Sequence, residues 1–158
     1  MSRRTCPHTL LLASTVACCV VLATGCGTRF SEPRDVPSIA KRYTQTAKTV
    51  VNPSDVDKYT PLYAEDAVFE DVPMKERVEG RSNIIDHFRT NMSTDTTDTV
   101  EHVVTGDGWF VVQDRVSSGQ GEFEYDITFF TMFEVKGGLI THQWEFYPSD
   151  APWLEYYQ

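Results

Sequence analysis

The stretch Ala67-Val68-Phe69-Glu70-Asp71-Val72-Pro73, AVFEDVP, sets two adjacent carboxylates inside a short apolar run. Burying an unpaired charge is costly, so the run needs a backbone that sends the two acids to different places. A strand does this. Successive side chains point to opposite faces, so one acid shares the side of Phe69 and faces the interior. Pro73, with no N–H to give to a ladder, helps to end the strand.

Working upstream, Ser54 is placed to cap a helix, with Asp57 reaching back and Val56, Tyr59, Leu62 and Tyr63 as its buried stripe. Ser38 caps an earlier one, in which Ile39, Tyr43, Ala47 and Val50 fall three or four apart. Downstream, Gly80-Arg81-Ser82 opens a third helix with Ile84, Ile85 and Phe88 on one face. The second half is rich in Val, Thr, Phe and Tyr, and glycine-bearing turns at 105–108, 118–121 and 136–138 divide it. Strands are predicted near 98–105, 108–117, 122–135 and 139–147, joined as an antiparallel meander. Helices segregated from such a sheet give an α+β domain.

The N-terminus differs in kind. Arg3 and Arg4 precede the almost uncharged run LLLASTVACCVVLATGC, which is too short and too broken by Ser14 and Thr15 for a spanning helix and reads as a signal peptide, residues 1–25. The four cysteines are Cys6, Cys18, Cys19 and Cys26, so cleavage after Gly25 leaves a single thiol at the new N-terminus and no internal disulfide. Leu22-Ala23-Thr24-Gly25-Cys26 resembles a bacterial lipobox. That resemblance implies lipid on Cys26 and a membrane-anchored lipoprotein on the extracytoplasmic side of the cell envelope. Residues 26–37, rich in Pro, Ser, Gly and charge, read as a flexible tether, and residues 38–158 as one domain with a single modest core. A net charge of −9 without a basic stripe argues against nucleic acid as a partner.

Helix, helix, short strand, helix and long meander is the element order of the nuclear transport factor 2-like superfamily. Within it, LYAEDAVFEDVPMKERVEGRSNIIDHF (62–88) and FEVKGGLITHQWEFYP (133–148) resemble the SnoaL-like and limonene-epoxide hydrolase branch. The resemblance implies a cone-shaped fold, N-terminal helices packed on a curved antiparallel sheet, with a pocket for a small apolar or hydroxylated ligand and no cofactor. In the hydrolases an acid on the last strand activates water, a Tyr and an Asn hold that water, and an Arg-x-Asp pair supplies the proton donor. Those positions correspond here to Glu145, Phe69, Asp71 and Arg115-Val116-Ser117. The hydroxyl of Ser117 is too weak an acid to replace the donor. In the related ketosteroid isomerases, Val-Glu-Asp-Pro resembles Phe69 to Pro73, and its Asp, here Asp71, is the base. The oxygen-holding Tyr and Asp of those enzymes fall near Ala47, one helical turn from Tyr43, and near Thr131.

Strand parity groups Gln113, Arg115 and Ser117 on one face, and Thr141, Gln143 and Glu145 likewise. The opposite faces hold Phe110, Val112 and Val116, and Ile140, His142, Trp144 and Phe146. Two readings follow. Asp71, Arg115 and Glu145 form a catalytic set in a pocket with Phe69, Ser117, Gln113, Gln143 and Tyr43, or the same charges are a structural ion-pair cluster in a noncatalytic accessory lipoprotein that binds a ligand or protein partner. The aromatic face predicts a homodimer, with His142 as a packing residue. Tyr125, Phe129 and Phe133 line or fill the cone, and His87 and His102 lack metal-ligand spacing.

Overall fold

The computed structural model describes residues 35–92, 96–118, 125–148 and 150–151. The expected leader, Cys26, most of the tether, the 118–121 turn beyond Ser118 and the aromatic tail 153–157 lie outside the described residues. Helix α1 spans Asp35–Ala47, followed by a 3₁₀ helix, Pro53–Leu62. Then come β1 (Tyr63–Asp71), β2 (Glu76–Glu79), helix α2 (Arg81–Asn91), β3 (Thr96–Thr105), β4 (Trp109–Ser118), β5 (Tyr125–Lys136) and β6 (Leu139–Phe146).

The first helix starts before Ser38. Pro37 sits in its first turn, where a missing N–H costs nothing, and Val36 already lies in the core beside Ile39 and Ala40. The second helix is capped at Asn52 rather than Ser54, because it is Asp55, not Asp57, whose carboxylate accepts the N–H groups of Val51 and Asn52 at 3.3 and 3.2 Å. Pro61 lies inside it, and the chain leaves helical geometry one residue later, so Tyr63 opens β1 instead of closing the helix. Gly80, at φ +88°, makes the bend into α2 that Ile84 and Ile85 anchor in the core.

The sheet order is β2-β1-β6-β5-β4-β3. The meander β3 to β6 is antiparallel as expected, but β1 pairs parallel with β6, so the six-stranded sheet is mixed. Residues 76–79, between the strand and the third helix of the predicted order, fold back on β1 as a further strand, β2. The β5–β6 hairpin turns at Gly137 and Gly138, both at positive φ, the geometry a tight two-residue connection requires.

Register decides which residues face inward. Phe110 lies opposite Phe133, Phe133 opposite Gln143, and Gln143 opposite Phe69, one row across four strands. Phe110 and Phe133 stack with centroids 4.3 Å apart, and Tyr43 packs on Phe133 at 4.4 Å. All four row members are essentially inaccessible to solvent. The next row out is Val112, Thr131, Glu145 and Asp71.

Candidate functional site

The inner face of the sheet carries a polar patch above the aromatic core. Parallel pairing of β1 with β6 sets Asp71 directly beside Glu145, and the N–H of Val72 donates to the Glu145 carbonyl at 3.1 Å. Asp71, two residues from buried Phe69, is therefore the inward acid of AVFEDVP. Glu70 points outward to Arg77 and lies 3.3 Å from His142.

Two hydrogen-bonded chains meet at this pair. The hydroxyl of Tyr63 donates to Gln143 Oε1, and Gln143 Nε2 donates to Glu145 Oε1 at 3.0 Å. Tyr147 places its hydroxyl 2.9 and 2.8 Å from the two oxygens of Asp71, and the Met74 N–H donates to Asp71 Oδ1 at 2.9 Å. Burial first, then the charge of Asp71, pushes the Glu145 carboxyl up to about 8, with Asp114 and Asp98 adding to the rise and Gln143 opposing it.

Asp114 is a site residue that the sequence reading misses. It follows Phe110 and Val112 on the inward parity of β4, is 5% exposed, and its Oδ1 has no hydrogen-bond partner. Burial, with help from Asp98 and Glu101, raises its carboxyl to about 7. Tyr43 and Tyr59, with rings 5.4 Å apart, approach it from the helical layer, and burial raises both phenols well above their ordinary range.

The sequence-predicted residues divide between the two faces. Phe69, Gln143, Tyr43, Asp71 and Glu145 lie on the inner side. Phe69 fills the core against Phe88 and His87, at 5.4 and 4.9 Å. Arg115 does not join them. Its guanidinium projects from the outer face and binds Asp126, with Nε 2.6 Å from Oδ1. Gln113, of the same parity, donates to Glu101 at 2.8 Å, and Ser117 shares that parity on the ladder. The expected order of the β4 faces is thus inverted, because the β4–β5 register pairs Phe110 with buried Phe133. On β6 the register slips at Thr141, which lets Ile140 point inward together with Gln143 and Glu145. Phe110 accordingly belongs to the core, while His142 and Trp144 stack on the outer face at 3.7 Å.

Among the described residues no group of three or more His, Cys, Asp or Glu side chains is arranged to hold a metal, and no helix is long and apolar enough to cross a membrane.

A SnoaL-like domain model matches residues 43–143. The chain belongs to the SnoaL-like domain family. This SnoaL-like chain also shares its fold with solved structures. A candidate ketosteroid isomerase from Kribbella flavida superposes with a TM-score of 0.60 at 22% identity, covering 73% of this chain and 78% of that one. A limonene-epoxide-hydrolase-like epoxide hydrolase from M. tuberculosis gives 0.58 at 16% identity, covering 72% and 86%. A protein of ketosteroid isomerase-like fold from Catenulispora acidiphila, solved with trimethylamine, gives 0.58 at 16%, covering 73% and 89%. No curated protein sequence matches the chain.

Proposed function

We propose that this SnoaL-like domain takes a small apolar or hydroxylated molecule into the cone and that Asp71 and Glu145 transfer protons on it, as an epoxide hydrolysis or a proton-transfer isomerisation requires. The observation that carries the reading is the pairing of the two carboxyls on adjacent parallel strands, one accepting hydrogen bonds from Tyr147 and Met74, the other raised toward neutral pH. Two acids in one poorly solvated site separate in proton affinity. Asp71, as acceptor, takes the role of base; Glu145, still protonated near neutral pH, takes the role of donor that Ser117 cannot fill. The trimethylamine bound by one structural relative supports a ligand site in a fold of this kind.

The test is a carbon-detected titration of the two carboxyls. Glu145 is expected to titrate near 8 and to fall toward the ordinary carboxylate range in Asp71→Asn. Two uncoupled titrations near about 4 overturn the reading. One feature favours a noncatalytic alternative, an accessory lipoprotein holding a ligand or partner: both Asp71 oxygens are already engaged, as in a structural hydrogen-bond network.

The cellular setting belongs to the same proposal. The Gly25-Cys26 junction and the lack of any later cysteine support export and an N-terminal lipid at the cell envelope. An intact mass showing an unmodified Cys26 in a soluble chain counts against this. The outer sheet face, with Phe130 and Phe146 each more than 40% exposed, supports a homodimer.

A further inference from the structure

We propose that Asp114, with Tyr43 and Tyr59, forms a subsite for a positively charged nitrogen, so that the ligand of the cone is a small organic ammonium compound. This rests on the reading of the cone as a ligand site, and deepens it by naming the ligand's charge.

Asp114 is buried and aimed inward, with one carboxyl oxygen lacking any partner. Buried carboxylate oxygens nearly always have one, so an empty acceptor asks what completes it. Among the described residues, no cation pairs with Asp114. Helix α1 contributes Tyr43, the 3₁₀ helix Tyr59, β3 contributes Asp98 and Glu101, both exposed and the latter held by Gln113, β1 contributes Asp71, and β6 Glu145. Strand β5 adds only uncharged Phe129 opposite Asp114 and Thr131 beside Val112. No ion pair among the described residues reaches Asp71, Asp114 or Glu145.

Two kinds of partner fit a carboxylate in such a place, a proton or a ligand cation. Without a ligand the proton wins, which is why burial raises Asp114 to about 7. A metal ion fits poorly, since no three ligating side chains converge among the described residues. An alkylammonium fits better. It needs one carboxylate for its charge and aromatic faces for its methyl groups, and of the rings in the helical layer Tyr43 and Tyr59, 5.4 Å apart, are the two close enough to feel the charge of Asp114.

Choline and its neutral isostere 3,3-dimethylbutan-1-ol test this on the intact chain by calorimetric titration between pH 6 and 9. Choline carries a permanent charge, so any proton released on binding comes from the protein. Its affinity is expected to exceed that of the alcohol by about tenfold or more at pH 8.5 and to rise with pH as the carboxyls ionise, by up to about tenfold per unit, while that of the alcohol stays flat. Asp114→Asn is expected to erase the preference and keep alcohol binding, which also reports that the variant is folded. Equal binding, a tighter alcohol, or a preference unchanged in Asp114→Asn overturns the subsite and leaves the ligand site intact. Binding of neither probe overturns both.

Discussion

Strand β4 sends two neighbouring charged residues to opposite faces of one sheet, and they meet different conditions. Arg115, on the outer face, finds Asp126 at 2.6 Å in open solvent. Asp114, on the inner face, finds aromatic rings and other acids, and one oxygen bonds to nothing. The outer face repeats its pattern in Arg77 with Glu70 and Glu79, and in Lys136 with Glu134. A solvated face can pair its charges freely because each pair is worth little and costs little. An inner face that keeps carboxyls without cations holds them against a solvation cost, and that expense is what the proposed site rests on.

The contrast between the faces collapses if they are wrongly assigned. Phe110→Ala removes a ring stacked on Phe133 in a closed core and is expected to cost about 3–5 kcal/mol in urea denaturation. Phe146→Ala, on the outer face and 41% exposed, is expected to cost less than about 1 kcal/mol in a monomer. Similar losses for the two would break the inner and outer assignment on which the site rests.

Stability against pH is the next largest effect. In the unfolded chain Glu145 and Asp114 release their protons near about 4, and in the folded one near about 8 and 7. Between these limits the folded chain binds more protons, so stability is greatest at the acidic end of the window and declines as pH rises through 7 and 8. The Glu145 share is on the order of 3 kcal/mol, less than full conversion of its shift because the residue keeps some solvent contact. Glu145→Gln is expected to flatten the decline, and an unchanged slope in thermal melts from pH 5 to 9 would remove the burial argument.

The outer face sharpens the contrast at lower energy. Phe130 and Phe146 are register partners on adjacent strands, with Met132 and Trp144 as the next pair. Phe130→Glu with Phe146→Glu is expected to convert a dimer to a monomer in light scattering while leaving the carboxyl titrations of the inner face in place. A wild-type monomer at micromolar concentration would leave this apolar strip without a partner copy.

How much of this is legible in the sequence follows from what strand parity fixes and what it leaves open. Within one strand, alternation is a covalent fact, so the residues alone place Asp71 with Phe69 and Glu145 with Gln143. Between strands, the phase depends on register and on irregularities such as the slip at Thr141, neither of which leaves a local mark in FVVQDRV or LITHQWEF. Polarity therefore matches Gln113, Arg115 and Ser117 to the polar phase of β6, whereas the aromatic phase of β4 is the inward one. A signal for Asp114 does exist: it continues the apolar phase of Phe110 and Val112, and a carboxylate on the buried phase of a strand is the anomaly to follow. The parallel β1–β6 pairing is not legible, because it joins segments far apart along the chain. The family resemblance supplies the element order, and that order holds with β2 added between β1 and α2.

The smallest expected effect tests the reassignment of Arg115. If its guanidinium belonged to the inner carboxyl set, replacing it would strip a counter-charge from Asp71 and Glu145, and the Glu145 titration would move further upward. In the observed arrangement it stands on the far side of the sheet and holds Asp126, whose carboxyl it lowers. Arg115→Ala is then expected to leave the denaturation midpoint within error, because an exposed pair in high dielectric contributes little. The Glu145 titration and the choline preference should stay where they were, while Asp126 alone returns toward the ordinary carboxylate range. A shift confined to Asp126 confirms that the sheet separates two electrostatic environments, and a shift in Glu145 would show that it does not.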